Sequence, residues 1–205
     1  MDRIVIADDH PLFRAALATA LMRAAPMALI EETSSLAGAR AALSAGPVDL
    51  LLLDLKLSDS EGFAGLAGIR ADFPAAPVAI VSASEDEATI RRALAFGAAG
   101  FIPKSATLAI MVEALASILA GEVWAPVLPD APEVESMEAR IASLTPSQLK
   151  ILIGLQHGRL NKQIAFDLGV TEATIKAHLT GVFRKLGVHN RTQAVIAAQA
   201  LTTEI

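Results

Sequence analysis

Asp8-Asp9, Asp54, Ser82 and Lys104 each close a short apolar run: RIVIA, VDLLLL, PVAIV and GFIP. Apolar runs of this length between turn residues predict buried strands of a parallel sheet, whose carboxyl ends form the crevice where open α/β sheets bind ligands. Three carboxylates, a hydroxyl and an ammonium would then share one edge. Three carboxylates that close cannot all stay ionised without a cation, and oxygen donors alone select a hard ion such as Mg2+. Asp54 ends the most apolar run, which makes it the best-buried candidate nucleophile for forming an acyl phosphate. Ser82 can hydrogen-bond one phosphoryl oxygen and Lys104 can pair with another. Without a phosphate, Lys104 would neutralise Asp54.

A second set of candidate residues lies downstream. Over Thr171–Leu186, Ile175, Leu179, Val182 and Leu186 fall on one helical stripe and leave Glu172, Lys176, Ala177, Thr180, Arg184 and Lys185 outward. Small, hydroxyl-bearing and basic side chains on one exposed helix fit a major groove, where Lys reads guanine and Thr touches either base. A solvated face of an ordinary three-helix domain would show the same pattern. Helix physics alone does not separate the two, and the charge balance suggests a nucleic-acid partner without deciding between them. Residues 1–137 carry 9 Lys+Arg against 18 Asp+Glu and residues 138–205 carry 8 against 4, nets of −9 and +4 that give the chain's −5.

These residues need elements to hold them. Strands are predicted at Arg3–Ala7, Ala28–Thr33, Asp49–Leu53, Val78–Ser82 and Gly100–Ile102. Helices are predicted between them at Pro11–Ala24, Leu36–Ala45, Gly62–Asp72, Asp86–Phe96 and Thr107–Ala120. Five such βα units predict an α/β fold with a five-stranded, doubly wound parallel sheet. Residues 121–137 read as a Pro-rich linker holding the chain's one tryptophan, Trp124. From Met137 the pattern is all-α: Met137–Ala142, Pro146–His157, Asn161–Leu168, Thr171–Leu186 and Arg191–Ala200, with Gly169-Val170 as the turn of a helix-turn-helix. With 53% hydrophobic residues the chain can bury real cores, and with no cysteine it has no disulfides, thiolate metal sites or cysteine nucleophiles. The acidic start MDRIVIADDH does not read as a signal peptide, and no apolar stretch of ~18 residues suits a bilayer, so a soluble cytoplasmic protein without a membrane partner is expected.

Residues 1–120 resemble the receiver domain of two-component response regulators, a flavodoxin-like fold. The resemblance rests on Asp8-Asp9, LLLDLKLSDSEG around Asp54, VAIVSAS around Ser82 and GAAGFIPKS around Lys104. Residues 138–205 form the second expected domain. Within it Leu144–Ala198 resembles the DNA-binding domain of LuxR-type regulators of the NarL/FixJ subfamily, through NKQIA, VTEATIKAHL, RKLGV and NRTQAV in order. The resemblance implies a sensor histidine kinase that phosphorylates Asp54. It also implies Mg2+ on Asp9, Asp54 and the main-chain carbonyl of Lys56, with Asp8 acting through a metal-bound water. Ser82 and the aromatic Phe101 would form a switch that remodels the surface of the fourth helix, fifth strand and fifth helix. Lys176, Ala177 and Thr180 would face bases, with His178 nearby. Lys162, Thr171, Thr174, Arg184 and Lys185 would meet phosphates of double-stranded DNA. A final helix at about Thr192–Leu201 exposes alternating Ala and Ile that could pair two copies or pack on its own domain; a homodimer when phosphorylated is expected, and RNA polymerase is a further candidate partner.

The chain departs from the family pattern in five places. Ser58 replaces a proline after the phospho-acceptor and loosens the expected loop. Ser105 follows Lys104 where a cis proline often stands. Lys56 is placed to reach over the phosphoryl group. Gln148 stands for a usual Glu, and Thr180 for a Lys found in some members. Two other classes compete with the regulator. A phosphatase similar to the haloacid dehalogenases would need an acid two residues after Asp54, and Lys56 argues against it. A receiver fold acting only in dimerisation or ligand binding would not need the whole pocket. The expectation is therefore a transcriptional regulator rather than an enzyme, its only chemistry being its own phosphorylation and slow hydrolysis of the acyl phosphate.

Overall fold

The computed structural model describes residues 2–128 and 136–201. Its first part alternates β1 (Arg3–Ala7), α1 (Pro11–Ala24), β2 (Leu29–Thr33), α2 (Leu36–Ala45) and β3 (Leu50–Asp54). A two-residue hairpin follows, β4 (Lys56–Leu57) and β5 (Ser60–Glu61). Then come α3 (Ala64–Asp72), β6 (Val78–Ser82), α4 (Glu87–Ala95), β7 (Gly100–Pro103) and α5 (Leu108–Leu119). The five long strands pair in parallel in the order β2-β1-β3-β6-β7. This is the expected doubly wound sheet.

Period-two alternation explains the uninterrupted apolar runs. Ile4, Ile6, Leu50, Leu52, Ala79 and Val81 face α1 and α5, whereas Val5, Leu51, Leu53 and Ile80 face the opposite layer with Leu66 and Ile90. Both faces of the central strands are buried, so neither needs a polar residue until the strand ends. Each fully buried Leu or Ile contributes about 2 kcal/mol of hydrophobic burial, and reversing the register of one strand would forfeit the fit on both layers. The edge strand β2 is less apolar, and its Glu31 forms an ion pair with Arg3 at 2.7 Å.

The boundaries shift where capping chemistry decides them. Asp86 and Thr107, expected as first helical residues, are extended N-caps whose side chains accept from the amides of Thr89 and Ile110, and Thr171 is the N-cap its residue type suits, accepting from Thr174 N. Asp49 lies outside its strand, and Asp54 and Pro103 close theirs. The second part is all-α: α6 (Met137–Ala142), α7 (Pro146–Gln156), α8 (Asn161–Asp167), α9 (Glu172–Leu186) and α10 (Arg191–Ala198), ending in the 3-10 turn Gln199–Leu201. Gln148, which replaces a charge, still completes a capping box, its Oε1 accepting from Thr145 N at 3.0 Å. Gly187 ends α9 at φ +68°, where a Cβ would also meet Arg140 Nη1 at 2.5 Å.

The segment after α5 does not run free. Trp124 bridges to Gly100 on the sheet edge, and its carbonyl accepts from Phe101 N at 2.8 Å. Residues 129–135 of the expected linker lie outside the described residues, as do residues 202–205. The two halves also touch, α3 against α7 and α4 against α6. Asp72 on α3 meets Lys150 on α7 at 2.8 Å, and Arg92 on α4 meets Glu138 on α6 at 3.2 Å. Arg92 also lies 4.8 Å over the Phe63 ring and donates to the Ala200 carbonyl. Among the described residues no helix is long and apolar enough to cross a membrane.

Asp86 caps α4 with unusual completeness. Its carboxylate accepts from the Ser84 and Thr89 hydroxyls at 2.6 Å each and from Thr89 N at 2.8 Å. These bonds, that of Ser84 first, lower its pKa from 3.8 to about 2. The folded state therefore favours the ionised form, so this contribution is complete above the ordinary value and is lost as pH falls from about 4 towards about 2. Asp86→Ala should cost about 1 kcal/mol at neutral pH and flatten the pH dependence of stability in that window. Urea titrations between pH 7 and pH 3, within the range set by the shifted group, measure both effects.

Candidate functional site

The carboxyl ends of β1, β3, β6 and β7 bring Asp8, Asp9, Asp54, Ser82 and Lys104 together. Asp8 and Asp54 are almost wholly buried, at 1% and 3% exposure, and Ser82 is fully buried. Lys104 Nζ lies 2.6 Å from Asp54 Oδ2 and 2.7 Å from Asp8 Oδ2. The ammonium thus serves two carboxylates where one was expected. It is held in place by the ladder, because Ser82 pairs with Pro103 and the Ser82 carbonyl accepts from Lys104 N at 2.8 Å. Its stem passes the Phe13 ring, with Nζ 5.1 Å from the centroid. Ser82 Oγ accepts from Ser84 N at 3.1 Å and so begins the turn that leads into α4. Phe101 is fully buried.

The donors fit a divalent cation. Asp8, Asp9, His10 and Asp54 each place a ligand atom within 4.8 Å of the others. Asp9 Oδ1 is buried without a hydrogen bond, and Asp8 Oδ2 has the Lys104 ammonium at 2.7 Å, the same ammonium that Asp54 uses, so a cation would compensate charge that Lys104 alone does not. His10 carried no signal in the sequence, since one histidine before a proline reads as a turn. Here it is the N-cap of α1 without a side-chain cap bond, and its ring Nδ1 lies 2.8 Å from Asp9 Oδ1.

The loop after Asp54 is more firmly held than Ser58 suggested. Lys56 N donates to Asp54 Oδ1 at 3.0 Å, and the Lys56 side chain is exposed. Asp59, at the hairpin turn, accepts from the first amides of α2, Leu36 N at 2.8 Å and Ala37 N at 2.9 Å. Burial raises its pKa, but the amides of Ala37, Leu36 and its own residue together bring it below the ordinary value. Asp59 was missed because its partners lie 22 and 23 residues away. The bond before Ser105 is trans, with no cis peptide among the described residues.

On the helical part, Ile175, Leu179, Val182 and Leu186 form the buried stripe of α9. Lys162, Thr171, Lys176, Ala177, Thr180 and Arg184 are exposed, whereas Thr174 and His178 are half-buried. Lys176 stands 3.5 Å from Glu172 one turn earlier, and Thr180 Oγ1 donates to the Lys176 carbonyl. Thr171 Oγ1 accepts from Thr174 N, so these two hydroxyls also build the helix start. Lys185 is drawn away from the outward face, its Nζ donating to the Ser143 carbonyl at 2.7 Å.

Residues 4–116 match the family of response regulator receiver domains, and residues 142–198 match the bacterial regulatory proteins of the luxR family. The chain is 38% identical to the glycerol metabolism activator of Pseudomonas putida, over 97% of this chain and 95% of that protein. It is 32% identical to the probable transcriptional regulatory protein NarL of Mycobacterium tuberculosis, over 96% and 93%. Among solved structures, a LuxR family DNA-binding response regulator from Silicibacter pomeroyi superposes with a TM-score of 0.53 at 35% identity, covering 62% of this chain and 97% of that one. RcsB of Salmonella enterica serovar Typhimurium, bound to a promoter with a phosphomimetic, superposes at 0.55 with 21% identity over 98% and 99%, a likeness of fold alone.

The shared ammonium yields a direct test. Lys104→Met leaves two buried carboxylates facing each other and should destabilise the fold by about 3 kcal/mol. Added MgCl2 should restore part of that loss. Chemical denaturation with and without MgCl2 measures both, and a variant as stable as the parent would show that the pair contributes nothing net.

Proposed function

The chain belongs to the response regulators that join a receiver domain to a LuxR-type DNA-binding domain, and we propose that its Asp54 pocket switches DNA binding by the helical domain. The observation that carries this reading is the single edge on which Asp54, Ser82, Lys104 and the acidic pair converge. A sensor histidine kinase presents a phosphohistidine. A carboxylate oxygen of Asp54 attacks the phosphorus, an O–P bond forms and the N–P bond to the imidazole breaks. Lys104 then exchanges its bond to Asp54 for a phosphoryl oxygen, and the buried Ser82 hydroxyl turns to another. Mg2+ would be held by Asp9, Asp54 and the Lys56 carbonyl, with Asp8 acting through water, and would neutralise phosphoryl charge when bound. The residue two positions after Asp54 is Lys56 and not the carboxylic acid that a haloacid-dehalogenase-like phosphatase needs.

The output follows from contact. Phe101 shares a strand with the Lys104 turn and donates its amide to Trp124, while the Ser82–Asp86 turn leads into α4 and Arg92. A change at the phosphoryl group therefore touches both the start of the linker segment and the contact between α4 and α6. We read the consequence as reorientation of the helical domain about residues 121–137, the linker between receiver residues 1–120 and DNA-binding residues 138–205, which permits two copies to bind adjacent half-sites. We propose that it acts in the cytoplasm, with RNA polymerase as a further partner. Lys176, Ala177 and Thr180 face bases, His178 stands beside them, and Lys162, Thr171, Thr174 and Arg184 meet phosphates. Lys185 joins them only if it leaves Ser143.

Incubation with a small phosphodonor and MgCl2 should add one acid-labile phosphoryl group by mass. Asp54→Asn should abolish it, and an adduct surviving that change would sink the assignment. Arg184→Ala should weaken binding to all sequences alike and reduce the slope of log affinity against log salt by about one. Lys176→Ala should instead weaken preferred over random DNA. Fluorescence anisotropy across a salt series separates the two.

A further inference from the structure

Resting on the metal site just proposed, the geometry points to His10 as an additional metal ligand, one that tunes the pocket towards first-row transition ions rather than Mg2+ alone. The ring is held where a ligand must stand. His10 N donates to Asp8 Oδ1 at 2.7 Å, its carbonyl accepts from Phe13 N and Arg14 N at 3.1 and 3.0 Å, and Pro11 fixes the next φ. The backbone is thereby clamped at the start of α1, while the imidazole makes no capping bond and lies across the mouth of the pocket.

Its Nδ1 sits 2.8 Å from Asp9 Oδ1, 3.2 Å from Asp8 Oδ1 and 3.8 Å from Asp54 Oδ2. Adjacent ligands of an octahedral ion bonded at ~2.1 Å stand ~3.0 Å apart and opposite ones ~4.2 Å. The separations from Asp9 and Asp8 lie close to the adjacent-ligand value and that from Asp54 lies between the two, so the nitrogen stands within reach of an ion held by Asp9 and Asp54. Asp9 Oδ1 accepts no hydrogen bond, although the imidazole is within reach. On its other side Nδ1 meets Lys104 Nζ at 3.3 Å. The contact with the ammonium uses the Nδ1 lone pair, whereas the 3.2 Å hydrogen bond to Asp8 Oδ1 uses a proton on Nδ1, and a bound ion would select the first tautomer.

The chemistry of the donor decides the ion. Carboxylate, carbonyl and water suit Mg2+ and Mn2+, whereas an imidazole raises affinity for Mn2+ and the later transition ions with little gain for Mg2+. His10 would take a position that water fills in an all-oxygen site, without displacing Asp9, Asp54 or the Lys56 carbonyl.

Mn2+ is the probe. Pulsed electron paramagnetic resonance of the Mn2+-loaded full chain should show a directly bonded nitrogen that vanishes in His10→Ala and in His10→Phe, the latter keeping a ring without the donor. Calorimetric titration should show Mn2+ affinity falling by about tenfold in both variants, with Mg2+ affinity changing by less than about twofold. Circular dichroism confirms that the variants fold. Bound Mn2+ with no nitrogen coupling, or equal Mn2+ affinities in parent and variants, overturns the assignment of His10 and leaves the Mg2+ site intact. Failure of the parent to bind either ion overturns the metal site itself, and the role of His10 with it.

Discussion

Two buried carboxylates that must share one ammonium set the terms for the rest of the molecule. Asp8 and Asp54 are nearly sealed from solvent, where like charges a few ångströms apart repel by about 4 kcal/mol at an effective dielectric of about 20. Lys104 relieves that repulsion from a neighbouring strand only because β7 lies beside β6 in a register that pairs Ser82 with Pro103. The charge balance of the pocket and the strand order of the sheet are thus one requirement. Any species that enters the pocket must bargain with the same lysine.

That requirement explains why the pocket can control something. Lys104 follows the strand that carries Phe101, and Phe101 holds Trp124 by a main-chain hydrogen bond. Gly100 leaves room for this join: a Cβ there would meet the Trp124 carbonyl oxygen at 2.9 Å and Ile118 at 2.5 Å. On the other side, Ser82 opens the turn that Asp86 closes, and α4 presents Arg92 to Glu138. The helical domain is gripped through α6 and α7, while the outward face of α9 stays exposed. Under the function proposed above, phosphorylation would change where that helix points rather than unmask it.

Much of this was legible from residue order. The four polar strand ends, the continuous apolar runs and the stripe of Ile175, Leu179, Val182 and Leu186 report buried periodicity, which local sequence records directly. Helix starts were placed a residue early at Asp86 and Thr107, because an N-cap belongs to the helix by hydrogen bonding but not by backbone angle. The hairpin of Lys56–Leu57 with Ser60–Glu61 was not foreseen, being too short to show a period. Asp59, His10 and the withdrawn Lys185 escaped for a different reason. Their roles depend on partners far away in sequence or on a side chain's direction, and neither leaves a local pattern.

The sequence by itself determined the classes of element, their order and the identity of the groups that could do chemistry, because burial periodicity and side-chain chemistry are properties of short stretches. Tertiary structure alone decided that Lys104 serves two aspartates, that Asp59 ties its loop to α2, that Trp124 joins the sheet edge and that Arg92 and Asp72 hold the helical domain. Each of these is a contact between residues distant in the chain, and its strength depends on distances of a few ångströms and on exclusion of water. Those quantities exist only once the strands are in register and the layers have closed.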